Sequence, residues 1–230
     1  MKQDLWEKYR PTRFSEFWNS VGAVNQVAAF LRAARLPKCV LFSGTYGAGK
    51  TSLARVLARA VSCVDESSIE PCGECNGCIH CSDRFMSLYG CALFLQGNKF
   101  NPELLKQFCM ETGYPPPARF NIYIVVIDEF HRLTMKEQET FLHLVEDTPR
   151  THFVMCTTHA SSISEAVRAR AHELKLELPT FEQAEAAMSR ICEQEQLAVP
   201  DNEIQTMIRA CKLVPRECLK ALQRWTSLPH

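Results

Sequence analysis

Short apolar runs alternate with helix-forming segments along the first 178 residues of the chain. The apolar runs predicted to be β-strands lie at 39–42, 91–95, 122–127 and 153–157, and an alternating segment at about 173–178 is predicted to be a fifth strand. The segments predicted to be helical lie at 21–36, 50–62, from about 101 onward, 135–145 and 163–170. Because strands and helices alternate, the pattern predicts an α/β fold with a parallel sheet covered by helices on both faces.

The strand signal ends at Pro179. Three further segments, at 181–197, 201–211 and 215–225, each open with a capping residue or a proline and have helical spacing. We therefore predict an α/β domain over 1–178 and a small domain of three helices over 179–230.

A phosphate-binding loop is predicted between the first strand and the next helix. The segment GTYGAGKT fits the pattern G-x-x-x-x-G-K-[ST]. Its glycines let backbone N–H groups surround a phosphate at the positive end of the helix dipole. A glycine turn before a core helix is the alternative, and the flanking strand and helix favour a nucleotide. The predicted nucleotide ligands in this loop are Gly44, Thr45, Tyr46, Gly47, Ala48, Gly49, Lys50, Thr51 and Ser52.

Within this loop two side chains have specific predicted roles. Lys50 is expected at the β- and γ-phosphates of ATP, and Thr51 is expected to bind Mg²⁺.

Asp128 and Glu129 follow the apolar run 122–127, at the end of a strand where open α/β sheets bind ligands. We expect Asp128 to hold Mg²⁺ and Glu129 to orient or deprotonate the attacking water. Alone, such a pair is more often just the polar end of a strand, but its combination with the phosphate loop favours the functional interpretation. Residues 128–131 read as a D-E-x-H box.

Four cysteines form a C-x8-C-x2-C-x2-C pattern within a predicted module over about 63–82. Such spacing predicts a closed, structural Zn²⁺ site with four thiolate ligands. An iron–sulfur cluster and a set of free core cysteines are the alternatives, and the roles of His80 and Cys81 stay open. The predicted ligands are Cys63, Cys72, Cys75 and Cys78.

Charge and composition limit the classes of function. The chain has 26 basic and 26 acidic side chains, so any contact with nucleic acid must come from a local patch or from an assembly. Twelve cysteines without an apparent export signal favour a reducing, cytoplasmic setting. No apolar run approaches the length of about 20 residues that a membrane span needs, so we expect no membrane contact.

Taken together, these motifs carry a family resemblance. Lys8-Tyr9-Arg10-Pro11, the phosphate loop, the four cysteines and the D-E-x-H box follow one another in an order that resembles the gamma/tau subunits of bacterial DNA polymerase III. The resemblance extends over about 5–225. It implies an AAA+ ATPase core with a helical lid, working with homologous clamp-loader subunits in a ring that hydrolyses ATP to load a sliding clamp onto primer–template DNA.

The resemblance also implies roles for residues outside the loop. Val21 and Gly22 would lie against adenine, and Thr157 or Thr158 would read the γ-phosphate. Arg170, with Arg168 as its rival, would act in trans at a neighbouring subunit's ATP. Arg216, at the start of the last predicted helix, would be the nucleotide-sensing arginine of the helical lid.

Several features depart from the family pattern. Arg170 is flanked by two alanines, and the segments 93–98 and 141–143 differ where the family faces DNA, which leaves direct DNA contact open. The family's third, collar domain lies beyond the region of resemblance. Two alternatives remain: a non-hydrolysing subunit of the delta-prime type, against which the intact loop and carboxylates argue, and another AAA+ DNA-processing ATPase, against which the cysteine module argues.

Overall fold

The computed structural model describes residues 4–19, 22–81, 91–111 and 120–227. Its strands are β1 (Cys39–Ser43), β2 (Ala92–Gln96), β3 (Tyr123–Asp128), β4 (Thr151–Thr157) and β5 (His172–Lys175). Its α-helices are α1 (Leu5–Lys8), α2 (Ala23–Arg32), α3 (Lys50–Ser62), α4 (Asn76–His80), α5 (Pro102–Glu111), α6 (Met135–Asp147), α7 (Glu165–Arg170), α8 (Phe181–Gln194), α9 (Asp201–Ala210) and α10 (Pro215–Thr226).

The five strands form one parallel sheet in the order β2-β3-β4-β1-β5. The predicted α/β class with a parallel sheet is therefore confirmed. Because all strands run the same way, the carboxyl ends of β1, β3 and β4 meet at one edge. That edge receives the phosphate loop after β1 and the acidic pair at the end of β3.

The sheet is buried on both faces, which explains its continuous apolar runs. Successive residues of β1 alternate between two hydrophobic clusters: Val40 and Phe42 pack on one face, and Cys39 and Leu41 on the other. Helices α2 and α3 contribute to the first cluster, and α5, α6 and α7 contribute to the second. Helix α3 is thereby fixed on the sheet, with its first turn directly after the loop.

A third hydrophobic cluster belongs to α8, α9 and α10. Helix α8 begins with a capping box, in which Gln183 N–H donates to Thr180 Oγ1 and Thr180 N–H donates to Gln183 Oε1. The cluster also takes Leu5 from α1, whose backbone N–H donates to Gln223 Oε1 at 2.9 Å. Helix α1, from the predicted domain over 1–178, therefore packs with the three helices of the predicted domain over 179–230. The division of the chain into these two domains stays a prediction.

The boundaries of several elements differ from the predicted ones. The alternating segment at 173–178 was predicted as a strand, but the strand is β5 (His172–Lys175), although Leu176 N–H still donates to Ser43 O at 2.8 Å. Helices α1 and α4 were not predicted, because four or five residues are too few to show a helical period. Among the described residues, none of the helices combines the length and the hydropathy needed to cross a membrane.

Candidate functional site

The phosphate loop turns away from β1 with backbone that glycine alone fits. Gly44 has φ of 141°, and a Cβ there would lie 2.4 Å from the Leu176 carbonyl oxygen. Gly47 has φ of 78°, and its Cβ would lie 2.5 Å from Val214 Cγ1. Both positions therefore need glycine for its positive φ and for the close approach of neighbouring groups. The second contact sets the loop directly against the start of α10.

Lys50 opens α3 and is buried beneath the loop, with 7% of its surface exposed. Its Nζ donates to the carbonyl oxygens of Gly44 at 2.9 Å and Thr45 at 2.7 Å. Burial lowers the pKa of Lys50, and the Asp128 carboxylate is among the groups that oppose this shift. The ammonium group is thus held at the loop itself, where it can attract phosphate oxygens.

Thr51 and Asp128 meet at the edge of the sheet. Thr51 Oγ1 donates to Asp128 Oδ2 at 2.9 Å, so one hydroxyl and one carboxylate oxygen face the same point. Mg²⁺ prefers oxygen ligands and is usually held by one or two protein groups together with phosphates and water. The two side chains predicted to bind Mg²⁺ are therefore brought together, and their chemistry fits that ion.

Glu129 follows with φ of 56°, a left-handed conformation that is uncommon outside glycine. Its backbone N–H donates to Asp128 Oδ1 at 3.0 Å. Its Oε2 accepts from Arg132 Nε at 3.1 Å and lies 3.5 Å from His131 Nε2. The left-handed backbone, the Arg132 guanidinium and the His131 imidazole therefore fix the direction of the Glu129 carboxylate. Backbone strain of this kind is common where a functional side chain must be aimed.

Thr157 ends β4 and is buried, whereas Thr158 lines the cleft. Thr157 Oγ1 lies 3.2 Å from His131 Nδ1 and accepts from His159 N–H at 3.0 Å. Of the two candidates for the γ-phosphate reader, Thr158 is thus the one on the cleft wall. Thr157 contacts His131, whose Nε2 in turn lies 3.5 Å from Glu129 Oε2.

A cleft of about 560 Å³ joins these groups, a volume within the usual range for ligand sites. Its walls come from the loop, the end of β3, the amino-terminal segment and α10. The predicted site residues that line it are Tyr46, Gly47, Ala48, Gly49, Lys50, Thr51, Ser52, Asp128, Glu129 and Arg216. Sequence reasoning missed Trp6, Arg10 and Trp18 as lining residues. The Lys8-Tyr9-Arg10-Pro11 word was the available signal for that segment.

Arg216 lies in the first turn of α10 and points at the loop. Its Nη1 donates to Tyr46 Oη at 2.7 Å. Its guanidinium carbon also lies 5.2 Å from the Tyr46 ring centre and 5.5 Å from that of Trp6. Cation–π attraction holds a guanidinium at such distances. The arginine predicted for the lid is therefore fixed against the phosphate loop between two aromatic rings.

The remaining predicted residues lie at the margin of the cleft or outside it. Val21 falls outside the described residues. Gly22 precedes α2, whose first residues Ala23 and Val24 line the cleft. Arg170 lies away from the cleft, where its Nη2 is 3.3 Å from Glu146 Oε1. About half of the Arg170 side chain is exposed, and its role toward another subunit stays a prediction.

The four cysteines of the predicted metal module converge. The sulfurs of Cys63, Cys72, Cys75 and Cys78 all lie within 4.8 Å of one another. Cys72 Sγ is 3.9 Å from Cys78 Sγ, and Cys75 Sγ is 3.9 Å from Cys63 Sγ. Tetrahedral zinc with bonds of about 2.3 Å places its sulfurs about 3.8 Å apart. The donor set and its spacing therefore fit a structural zinc ion.

Backbone amides support thiolates in this cluster. The N–H groups of Cys72, Cys75 and Cys78 each donate to a cluster sulfur, at 3.5, 3.4 and 3.4 Å. Backbone donors of Glu74 and Cys75 lower the pKa of the Cys72 thiol to about 7, whereas burial raises the pKa of Cys63. A dication stabilises the charged form of these thiols.

Cys81 is not part of this group. Its Sγ donates to Ser62 Oγ at 3.1 Å, and the residue is buried against α3. It is therefore a core residue, which answers the question left open by its spacing. The side chain of His80 lies outside the described part of the chain.

Comparison with known proteins places this site in a family. A family model described as "DNA polymerase III, delta subunit" matches residues 21–180. The DNA polymerase III subunit gamma/tau of Mycobacterium tuberculosis is 30% identical over 223 residues, which cover 96% of this chain and 38% of that protein. Subunit tau of Escherichia coli is 28% identical over 220 residues, covering 94% of this chain and 33% of that protein. The resemblance inferred from the motifs is confirmed, and the chain spans between a third and two fifths of these relatives' length.

Solved structures match the architecture. A variant of RuvB from Thermotoga maritima aligns with a TM-score of 0.65 at 18% identity, over 92% of this chain and 63% of that one. Domain III of the Thermotoga maritima replication initiation protein DnaA aligns with a TM-score of 0.60 at 17% identity, over 92% of this chain and 86% of that one. At such identities the likeness concerns the fold alone, and it confirms the AAA+ type of α/β core.

Proposed function

Because the chain belongs to the DNA polymerase III delta-subunit family, we propose that it is a clamp-loader motor subunit that binds and hydrolyses ATP. The observation that carries the proposal is the meeting of Lys50, Thr51, Asp128 and Glu129 at one edge of the sheet. The non-hydrolysing alternative is less well supported, since a subunit without turnover has no need of an aimed Glu129.

Each group has a distinct proposed task at ATP. Lys50 exchanges its bonds to the loop carbonyls for bonds to phosphate oxygens, and Thr51 and Asp128 would hold Mg²⁺. The ion, when bound, neutralises charge that develops on the β- and γ-phosphate oxygens. Glu129 orients the attacking water or accepts its proton.

Other proposed roles follow from the family. The helices α8, α9 and α10 form a lid over 179–230, and Arg216 carries positive charge from it into the cleft. Arg170 reaches the ATP of a neighbouring subunit, where such an arginine can be worth ~10³-fold in rate. The proposed partners are homologous clamp-loader subunits, the sliding clamp and, through the assembly, primer–template DNA in the cytoplasm. Zn²⁺ at the four cysteines stabilises the module over 63–82.

Two substitutions test the motor role. Lys50→Ala should abolish binding of a fluorescent ATP analogue, because it removes the ammonium group that lies at the loop and is proposed to bind the phosphate oxygens. Glu129→Gln should retain binding and abolish phosphate release. Lys136→Ala and Glu139→Gln, both on the exposed side of α6, are the matched controls.

The assays are run on the chain alone and together with clamp, partner subunits and primed DNA. Turnover by the isolated chain should be slow, because Arg170 is proposed to act at the ATP of a neighbouring subunit. Unchanged nucleotide affinity in Lys50→Ala would show that the site is misassigned. Wild-type turnover in Glu129→Gln would remove the motor role and leave a nucleotide-binding protein.

A further inference from the structure

His131 lies between two groups that the proposed mechanism treats separately. Its Nδ1 is 3.2 Å from Thr157 Oγ1, and its Nε2 is 3.5 Å from Glu129 Oε2. Thr157 ends β4, and Glu129 follows the adjacent strand β3. One imidazole therefore spans the gap between the carboxyl ends of two neighbouring strands.

The hydrogen bonds around Thr157 set the direction of this link. Thr157 Oγ1 already accepts from the backbone N–H of His159 at 3.0 Å. Its hydroxyl proton is then available to donate to His131 Nδ1. A neutral imidazole that accepts at Nδ1 carries its proton on Nε2, which faces the Glu129 carboxylate.

The surroundings of His131 favour this neutral form. The side chain is 14% exposed, and burial lowers its pKa. His159, Arg132 and Lys50 lower the pKa further, while the Glu129 carboxylate opposes them. The His159 ring packs against His131 with ring centres 4.8 Å apart. A second ring therefore covers part of the His131 imidazole.

We propose that His131 is a positioning residue that carries the hydrogen bond of Thr157 to Glu129 and so aims this carboxylate at the attacking water. This inference rests on the proposed ATPase function. The contact of 3.5 Å is expected to shorten when nucleotide fills the cleft, as bonds in catalytic sites often do. Thr158, the neighbour of Thr157, lies on the cleft wall, so a nucleotide bound there would lie one residue from this link.

Substitutions along the link test its role in turnover. His131→Ala and Thr157→Val should each lower kcat by about 10- to 100-fold, the range expected when a catalytic group is misplaced. The apparent affinity for ATP should not change, because neither side chain lines the cleft. Thr157→Ser restores the hydroxyl and should restore kcat. The double variant His131→Ala with Thr157→Val should be no slower than the slower single variant, because both break one link.

His172→Ala is the control. It removes an exposed imidazole from the first residue of β5, at the end of the parallel sheet opposite the acidic pair. Its kcat should stay near that of the wild-type chain. Equal kcat values for His131→Ala, His172→Ala and the wild-type chain would overturn the inference while leaving the ATPase function intact.

A second measurement needs no turnover. The imidazole ¹H–¹⁵N spectrum of the labelled full chain should show His131 with its proton on Nε2, and Thr157→Val should alter that tautomer while Thr157→Ser preserves it. A proton on Nδ1 in the wild-type chain would overturn the link even if ATP is hydrolysed. An absence of turnover in the wild-type chain with all its partners would instead remove the proposed function and, with it, the catalytic purpose of His131.

Discussion

The Thr51 hydroxyl donates to the Asp128 carboxylate at 2.9 Å, although 77 positions separate the two residues in sequence. Thr51 lies in the first turn of α3, and Asp128 is the last residue of β3. Strand β4 separates β1 from β3 in the sheet, so the contact depends on the order β3-β4-β1. The sheet therefore assembles the proposed Mg²⁺ ligands, which no local motif could do alone.

Asp128→Asn should weaken the response to Mg²⁺. The amide keeps the volume and one oxygen of the carboxylate but removes its charge, which is the main attraction for a hard dication. We expect the Mg²⁺ concentration for half-maximal turnover to rise about tenfold or more. ATP binding in the absence of Mg²⁺ should change little.

A titration of turnover with Mg²⁺ makes this measurement. Asp147→Asn is the control, because that carboxylate is exposed at the end of α6. Identical Mg²⁺ titrations for Asp128→Asn and the wild-type chain would place the ion elsewhere.

Removal of metal from the cysteine cluster should destabilise the chain and leave the nucleotide site intact. The four converging thiols lose their shared ligand when the metal is removed, so the free energy of metal binding no longer contributes to folding. If the ion contributes about 2 kcal/mol or more, chelation should lower the Tm by about 4–8 °C for a chain of this size. Scanning calorimetry and ATP binding before and after chelation check both parts.

Metal content gives the matching test by substitution. Cys72→Ser should abolish the stoichiometric zinc measured by elemental analysis, whereas Cys211→Ser, at the end of α9, should retain it. Purified wild-type protein without zinc, or with iron in its place, would contradict the zinc assignment. Loss of ATP binding on chelation would contradict the separation of the two sites.

Arg216→Ala should weaken ATP binding by roughly tenfold, since one cation at the phosphate loop is removed. Tyr46→Phe keeps the ring but loses the hydroxyl that accepts from Arg216, so the guanidinium is freed and ATP affinity should not fall. Titration calorimetry measures both variants. Arg224→Ala, exposed on the same helix, is the control. A loss of affinity in Tyr46→Phe equal to that in Arg216→Ala would show that the hydroxyl itself contacts nucleotide.

Much of the sheet and of the phosphate loop could be predicted because their signals are local. The loop needs its glycines, its lysine and its threonine in a fixed order, and Asp128 follows an uninterrupted apolar run. The cysteine module is local in the same sense, since its last three ligands are spaced by two residues. Each of these features can be recognised without knowledge of the rest of the fold.

The remaining site residues depend on contacts between distant segments. Trp6 reaches the cleft because α1 packs with α10, a contact that the adjacent Lys8-Tyr9-Arg10-Pro11 word does not itself predict. His131 was seen as a letter of the D-E-x-H box, but its partner Thr157 is set by the pairing of β3 with β4. The choice between Thr157 and Thr158 likewise required knowing which side chain the strand turns inward.

Stability should fall in mild acid because of His152, a half-buried side chain on β4 whose Nδ1 lies 3.0 Å from the Pro37 carbonyl oxygen. Burial lowers the pKa of His152, so near its unfolded pKa of about 6.5 the unfolded chain binds more protons than the folded one. The free energy of unfolding therefore rises with pH through this window and decreases as pH falls below it. His152→Gln keeps an N–H donor for Pro37 and does not titrate. Urea unfolding measured between about pH 5 and 7 should therefore give a free energy of unfolding that depends less steeply on pH than in the wild-type chain. The exposed control His143→Gln should retain the wild-type dependence of the free energy of unfolding on pH. The same dependence in His152→Gln would assign the acid sensitivity to other groups.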